Sequence, residues 1–185
     1  MFKRVRILEG ERVSLVLPEK EDAELWYHGL NDLEVQQYLS TWWTILYREN
    51  EQEYYESLRK NPRIRYFGIC IEKGETLIWS TTLEINSRNR NAEMGIVIFC
   101  KEHQDKWYWT ESVKLILKYW FEILGLHKIY LNYVDYNKRA WKVYERCWFK
   151  EIGRRKDHWY FKWEYHDMVE MEIMKTEYKE LYMKE

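Results

Sequence analysis

Residues 125–154 read GLHKIYLNYVDYNKRAWKVYERCWFKEIGR, and this stretch decides the fold. Lys128 to Asp135 (KIYLNYVD) is dense in β-branched and aromatic residues and reads as a strand. Asn137 or a near neighbour caps a short helix running through Arg146, because an Asn side-chain oxygen accepts from the free N–H groups of a first turn. Ahead of the strand, Gly125 stands where a C′ glycine closes a helix. That helix runs from about Lys106 to Leu124, with Val113, Ile116, Leu117, Trp120 and Phe121 on one face. Helix, strand and helix in this order make an α/β unit.

Moving outward toward the N-terminus, Ala92 to Cys100 reads as a strand. Arg65 to Glu72 and Thr76 to Ile85 are two more, flanking a hairpin turn at Lys73-Gly74-Glu75. Arg12 to Leu17 alternates and is closed by Pro18. Between these lie helical patterns over Glu21 to Leu30, from an Asp32 cap through Leu39, and over Glu49 to Lys60, the last ended by Asn61-Pro62. On the C-terminal side, Phe149 to Ile173 has the pattern of two long strands in a hairpin. The prediction is a mixed α/β (α+β) domain with a central mixed β-sheet of about seven strands flanked by helices. No repeat, linker or low-complexity block divides it, so residues 1–185 are expected to form one domain.

Charge narrows the function classes. Thirty Lys and Arg against 31 Asp and Glu give a net charge of −1, which argues against wrapping nucleic acid through its phosphates. No apolar run approaches the roughly 20 residues that span a bilayer. The first residues lack the apolar core of a signal peptide. Cys70, Cys100 and Cys147 form neither a CxxC pair nor a disulfide framework, so a reducing cytoplasm is the default. Composition is otherwise unusual: 11 Trp and 16 Tyr stand beside 7 Gly and 2 Pro. Average glycine usage of about 7% predicts nearly twice as many.

Four segments, taken together, resemble a known family. They are RVSLVLPEKEDAELWYHGLNDLEVQQYLS (12–40), NRNAEMGIVI (89–98), the stretch 125–154, and EYHDMVEMEI (164–173). Their order and spacing are similar to the ribosomal-protein and polyamine N-acetyltransferase branch of the GNAT superfamily. The resemblance implies acetyl-CoA as cofactor and a strand ending in a bulge that offers backbone groups to its pantetheine arm. Here that strand matches Glu93 to Ile98, with Ile96, Val97 and Ile98 at the cofactor. It implies a pyrophosphate cradle at the next helix start, where Gln104 and Lys106 fall. Such a cradle uses free N–H groups, a positive dipole end and glycines that permit close approach. It implies that Asn137 contacts the cofactor arm, that Tyr144 protonates the departing thiolate, and that Glu93 takes a proton from the acceptor amine. Relatives of this kind are often dimeric, which admits a homodimer.

The sequence departs from the family at the cradle. In Gln104-Asp105-Lys106-Trp107-Tyr108-Trp109 both signature glycines are tryptophan, and Asp105 adds a negative charge. An indole covers roughly 150–250 Å², space the phosphates need. Trp79, Trp148 and Trp163 also stand where relatives read glycine; Trp141 replaces an aliphatic residue, and Trp42-Trp43 lie in the segment that covers the acceptor pocket. Read together, Trp79, Trp107, Trp109, Trp141 and Trp148 describe a remodelled cleft in which acetyl-CoA binding is doubtful. That is the pattern of an engineered scaffold with an aromatic pocket for a small molecule, as binder or catalyst. The alternatives are an active N-acetyltransferase moving acetyl to a primary amine (a protein N-terminus or a polyamine), or a scaffold with aromatic patches for protein association. A pocket requires these tryptophans to converge on one cavity. Trp26 and Trp120 fit ordinary core positions. His103, Gln104 and Asp105 read as a surface loop; His158 and His166 lack metal-site spacing. Cys100 and Cys147 would be nucleophiles only beside a base.

Overall fold

The computed structural model describes residues 4–39, 44–71, 75–103 and 107–183. Eight strands form one sheet: β1 (Arg6–Glu9), β2 (Ser14–Val16), β3 (Ile64–Ile71), β4 (Thr76–Asn86), β5 (Asn91–Ile98), β6 (Lys128–Val134), β7 (Lys150–Phe161) and β8 (Glu164–Met174). Their spatial order is β1-β2-β3-β4-β5-β6-β8-β7. The strand beyond the seven expected is β1, whose four residues RILE are too short to show a period; it pairs antiparallel with β2.

Among the described residues six α-helices flank the sheet: α1 (Ala23–Leu30), α2 (Leu33–Gln36), α3 (Arg48–Lys60), α4 (Tyr108–Lys118), α5 (Lys138–Arg146) and α6 (Lys175–Tyr182). Asp32 caps α2 as predicted, accepting from Glu34 N, though the helix ends before Leu39. The helix expected from Lys106 to Leu124 is α4 followed by a wider π-type turn, Tyr119–Ile123, which buries Trp120 and Phe121. Gly125 closes it at φ +62°, the left-handed C′ conformation. The hairpin turn placed at Lys73-Gly74-Glu75 falls largely outside the described residues. Among the described residues, no helix is long and apolar enough to cross a membrane.

Alternation along the strands builds two cores, because neighbouring residues point to opposite faces. Leu15 and Ile69 join the larger cluster with Val113, Ile116 and Leu117 of α4, Val143 of α5 and Tyr178 of α6. Their neighbours Val16 and Cys70 face the other way, onto Ala23 and Trp26 of α1 and Tyr55 of α3. The sheet is thus covered on both sides.

The feature that positions the site is the junction of β5 and β6. These strands are parallel, which requires a long crossover, and the segment containing α4 supplies it. Their ladder holds only Asn91↔Lys128, Ala92↔Ile129 and Glu93↔Tyr130. Beyond Glu93 the two strands part, and the sheet opens into a V.

Candidate active site at the opening of the sheet

A cleft of about 1060 Å³ occupies the V. One wall is the run Ile96, Val97, Ile98 on β5; beneath it lie Asn137, Ala140 and Tyr144 of α5 and Trp109 of α4. On this side β5 has no strand partner past Glu93, so its edge N–H and C=O groups are available to a ligand carrying amides. The bulge implied by the family resemblance is not found toward β4, where pairing runs unbroken from Trp79↔Ile98 to Asn86↔Asn91. The opening comes from the early end of the β6 ladder instead.

Tyr144 sits at the bottom of the cleft and is buried. Rings surround it: Trp109 edge-on at 6.2 Å, Phe149 at 5.8 Å and Tyr133 at 5.9 Å. Burial pushes its phenol well above the usual tyrosine value, so the hydroxyl keeps its proton through the physiological range. Asn137 both lines the cleft and caps α5, its side-chain oxygen accepting from Ala140 N at 3.1 Å. Glu93 is half-buried where the strands part, with Oε1 accepting from Asn132 Nδ2 at 2.7 Å.

The predicted residues Ile96, Val97, Ile98, Glu93, Asn137 and Tyr144 therefore line one cleft. Gln104 and Lys106 lie outside the described residues, as do Asp105, Trp42 and Trp43. The tryptophans behave differently. Trp79 is wholly buried inside β4, and Trp107 is 63% exposed with the Arg146 guanidinium 5.5 Å from its ring. Trp141 and Trp148 are exposed as well. Only Trp109 of the set reaches the cleft. Residues two apart at a helix start face away from each other, so Trp107 and Trp109 cannot share a pocket. The five do not converge on a cavity, and the expectation of an aromatic pocket fails on geometry.

Other lining residues were not legible in the sequence: Glu34, Glu84 and Glu170, paired with Lys101, Arg63 and Arg155, and Tyr38 and Trp159. Tyr136 organises one end: its hydroxyl donates to Gln37 O and accepts from Trp159 Nε1, and its ring stacks on Phe161. Burial pushes Tyr136 up to about 12. No motif marks these residues, because the tertiary fold brings them together from distant segments. The cysteines are not poised as nucleophiles. Burial pushes Cys100 up to about 11 and Cys147 up to about 12, and their thiols face the carbonyls of Leu77 and Thr110. His166 lies 3.5 Å from Asp135, and His158 contacts Arg155 at 3.2 Å. Among the described residues no three His, Cys, Asp or Glu gather as a metal site.

Residues 12–150 match the acetyltransferase (GNAT) domain family. A spermidine N(1)-acetyltransferase of Vibrio cholerae is 32% identical over 169 residues, covering 89% of this chain and 95% of that protein. A putative ribosomal N-acetyltransferase of Bacillus subtilis is 28% identical over 181 residues, covering 92% of this chain and 95% of its own. The crystal structure of the Vibrio cholerae spermidine N-acetyltransferase with CoA and spermine superposes with a TM-score of 0.83 at 28% identity, covering 91% of this chain and 99% of that one. This near end-to-end similarity to a CoA-binding acetyltransferase overturns the reading of an engineered scaffold with a remodelled cleft. The chain belongs to the GNAT acetyltransferase family, in the branch of the spermidine and ribosomal N-acetyltransferases.

Proposed function

We propose that this protein is an N-acetyltransferase, acting as one domain over residues 1–185, that moves acetyl from acetyl-CoA to a primary amine of a small polycationic acceptor, a polyamine. One observation carries the reading: a free strand edge, a buried phenol and the carboxylate of Glu93 line one cleft. The unpaired edge at Ile96 to Ile98 fits the amides of a pantetheine arm, and Asn137 borders it. Acetyl-CoA supplies an acyl group activated as a thioester. Of the carboxylates lining the cleft, Glu34, Glu84 and Glu170 are paired with Lys101, Arg63 and Arg155, whereas Glu93 accepts from the neutral Asn132 and is left to attract a cationic amine. Free Cys70, Cys100 and Cys147 suit a reducing compartment such as the cytoplasm.

The roles divide as follows. Glu93, directly or through one water, takes the proton from the amine nitrogen as its lone pair forms the new carbon–nitrogen bond. Tyr144 donates its proton to the sulfur as the carbon–sulfur bond breaks, so CoA leaves as the neutral thiol. Burial keeps that hydroxyl protonated until it is needed.

The test is release of free thiol from acetyl-CoA with spermidine, and separately with a short peptide bearing a free N-terminus. Faster turnover with spermidine is expected. No thiol release above background with either acceptor would sink the proposal, and preference for the peptide would move the acceptor to a protein N-terminus.

A further inference from the structure

Glu51, in the first turn of α3, points inward and is 4% exposed. Its Oε2 has no hydrogen-bond partner, and burial pushes its carboxyl above the usual range. It lies against a recess of about 60 Å³ that opens beside the main cleft and shares Tyr54, Thr82, Gly95 and Val97 with it. The rest of the recess is largely aromatic: Trp26, Tyr66 and Phe99. A lone carboxylate in such a place is unfavourable unless a cation accompanies it. Aromatic faces are the complementary lining for an ammonium group. The volume holds a chain end and nothing larger.

We propose that Glu51 and this recess form a second ammonium subsite, which holds the distal amine of a di- or polyamine while its other amine reacts in the cleft. The proposal deepens the polyamine reading and rests on it. The experiment compares Glu51→Gln with the parent chain on spermidine and on n-butylamine, a monoamine. For spermidine KM is expected to rise at least about ten-fold with kcat little changed, while butylamine kinetics stay as they were. Equal effects on both amines, or none on spermidine, overturn the subsite. If neither amine is acetylated, the acetyltransferase reading falls, and calorimetry still decides the subsite. Spermidine bound by the parent and lost in Glu51→Gln supports it; no binding, or equal binding, overturns it. Matching melting temperatures guard against misfolding of the variant.

A second inference comes from the backbone, independently of any activity. Trp148 has φ 67° and Trp163 has φ 69°, the left-handed region that a bulky side chain avoids and glycine enters freely. Trp148 follows the C-cap of α5, the position where helices take glycine. Lys162-Trp163 is the two-residue loop between β7 and β8, closed by Phe161↔Glu164, with both φ values positive. That is the pattern of a type I′ turn, whose second residue is typically glycine. Trp163 is 90% exposed, so packing does not explain it. Positions 79, 107, 109, 148 and 163 are those where the family resemblance expects glycine. Returning them to glycine restores the ordinary usage of about 7%.

The geometry points to a single cause: at 79, 107, 109, 148 and 163 the polypeptide made in its own cell carries glycine. One codon suffices, UGA, which different genetic codes read as stop, tryptophan or glycine. At 148 and 163 the largest side chain sits in left-handed backbone, and all five positions are ones where the resemblance expects the smallest. Glycine at 107 and 109 would also clear the N-terminus of α4 for an anion. Two readouts test this. The gene should carry UGA at these five positions and UGG at Trp26. In protein purified from the source cells, the tryptic peptides covering 147–150 and 163–175 should contain glycine in place of tryptophan. UGG codons at 148 and 163, or tryptophan in either peptide, would overturn the inference.

Discussion

The floor of the cleft and the turns that surround it obey different rules. On the floor, residue chemistry and backbone agree. Asn137 caps the helix that brings Tyr144 into place, Asn132 holds Glu93, and the edge of β5 lies open beside them. At the turns they disagree: tryptophan occupies left-handed backbone at 148 and 163. Consistency between local preference and fold marks a sequence suited to its structure. The cleft floor meets that standard, and the bulkiest side chains that depart from it are Trp148 and Trp163. The activity is therefore expected to depend on the floor, and the tryptophans to weaken the molecule around it.

The sharpest way to break this contrast is Tyr144→Phe. The ring and its neighbours remain, so the fold should hold, while the proton for the leaving thiolate is gone. The expected loss in kcat is about 10²-fold or more, with KM for spermidine little changed. Unchanged kcat would remove Tyr144 from the chemistry and leave it as packing beneath the cleft.

Next in size is the anchor between the sheet and α4. Glu111 accepts from Arg12 N at 2.7 Å, Arg12 Nε at 2.8 Å and Val13 N at 3.3 Å. Desolvation raises its pKa, but these bonds outweigh it, and the carboxyl lies below its usual value. A depressed carboxylate stabilises fully above its unfolded pKa of about 4.3 and loses that contribution as pH falls through the lower folded value. Glu111→Gln should therefore cost roughly 1–2 kcal/mol at pH 7, with the gap to the parent closing below about pH 4. Urea titrations at both pH values measure it; a gap independent of pH would mean that the charge is not what the anchor uses. Asn137→Ala comes slightly lower, at about 1 kcal/mol for the lost cap, with Asn137→Ser recovering most of it.

How much of this was legible in the sequence follows the same division. The strand–cap–helix run from Lys128 to Arg146 announced itself, because a β-rich segment followed by Asn is a local signal, and Gly125 behaved as a C′ glycine. Ile96 to Ile98, Glu93, Asn137 and Tyr144 fell into one cleft because the family resemblance covered all of them. The carboxylates Glu34, Glu84 and Glu170 were not legible as lining: they come from α2, β4 and β8, and only the tertiary fold brings them to one cleft. Glu51 was invisible for another reason, since a glutamate on a charged helix gives no sign of which way it faces. The tryptophans mislead. Their sequence positions imply clustering around a cofactor, whereas helix and strand geometry send Trp79 into the core and Trp107 into solvent.

The smallest effect is the most direct measure of the disagreement at the turns. Trp163→Gly removes a left-handed backbone penalty of roughly 1–2 kcal/mol. The added freedom of glycine in the unfolded chain gives back about 0.5–1 kcal/mol. Trp163 is 90% exposed and loses almost no packing, so the balance stays favourable. For a chain of this size a net gain near 0.5–1 kcal/mol raises Tm by about 1–4 °C. Trp148→Gly should gain less, because its side chain is 53% exposed and part of its surface still packs. Thermal melts of the two variants and their double mutant read this directly. Additive gains would show each turn relaxing on its own. A fall in Tm for Trp163→Gly would mean that the indole stabilises the β7–β8 hairpin, and the contrast between floor and turns would then fail at that turn.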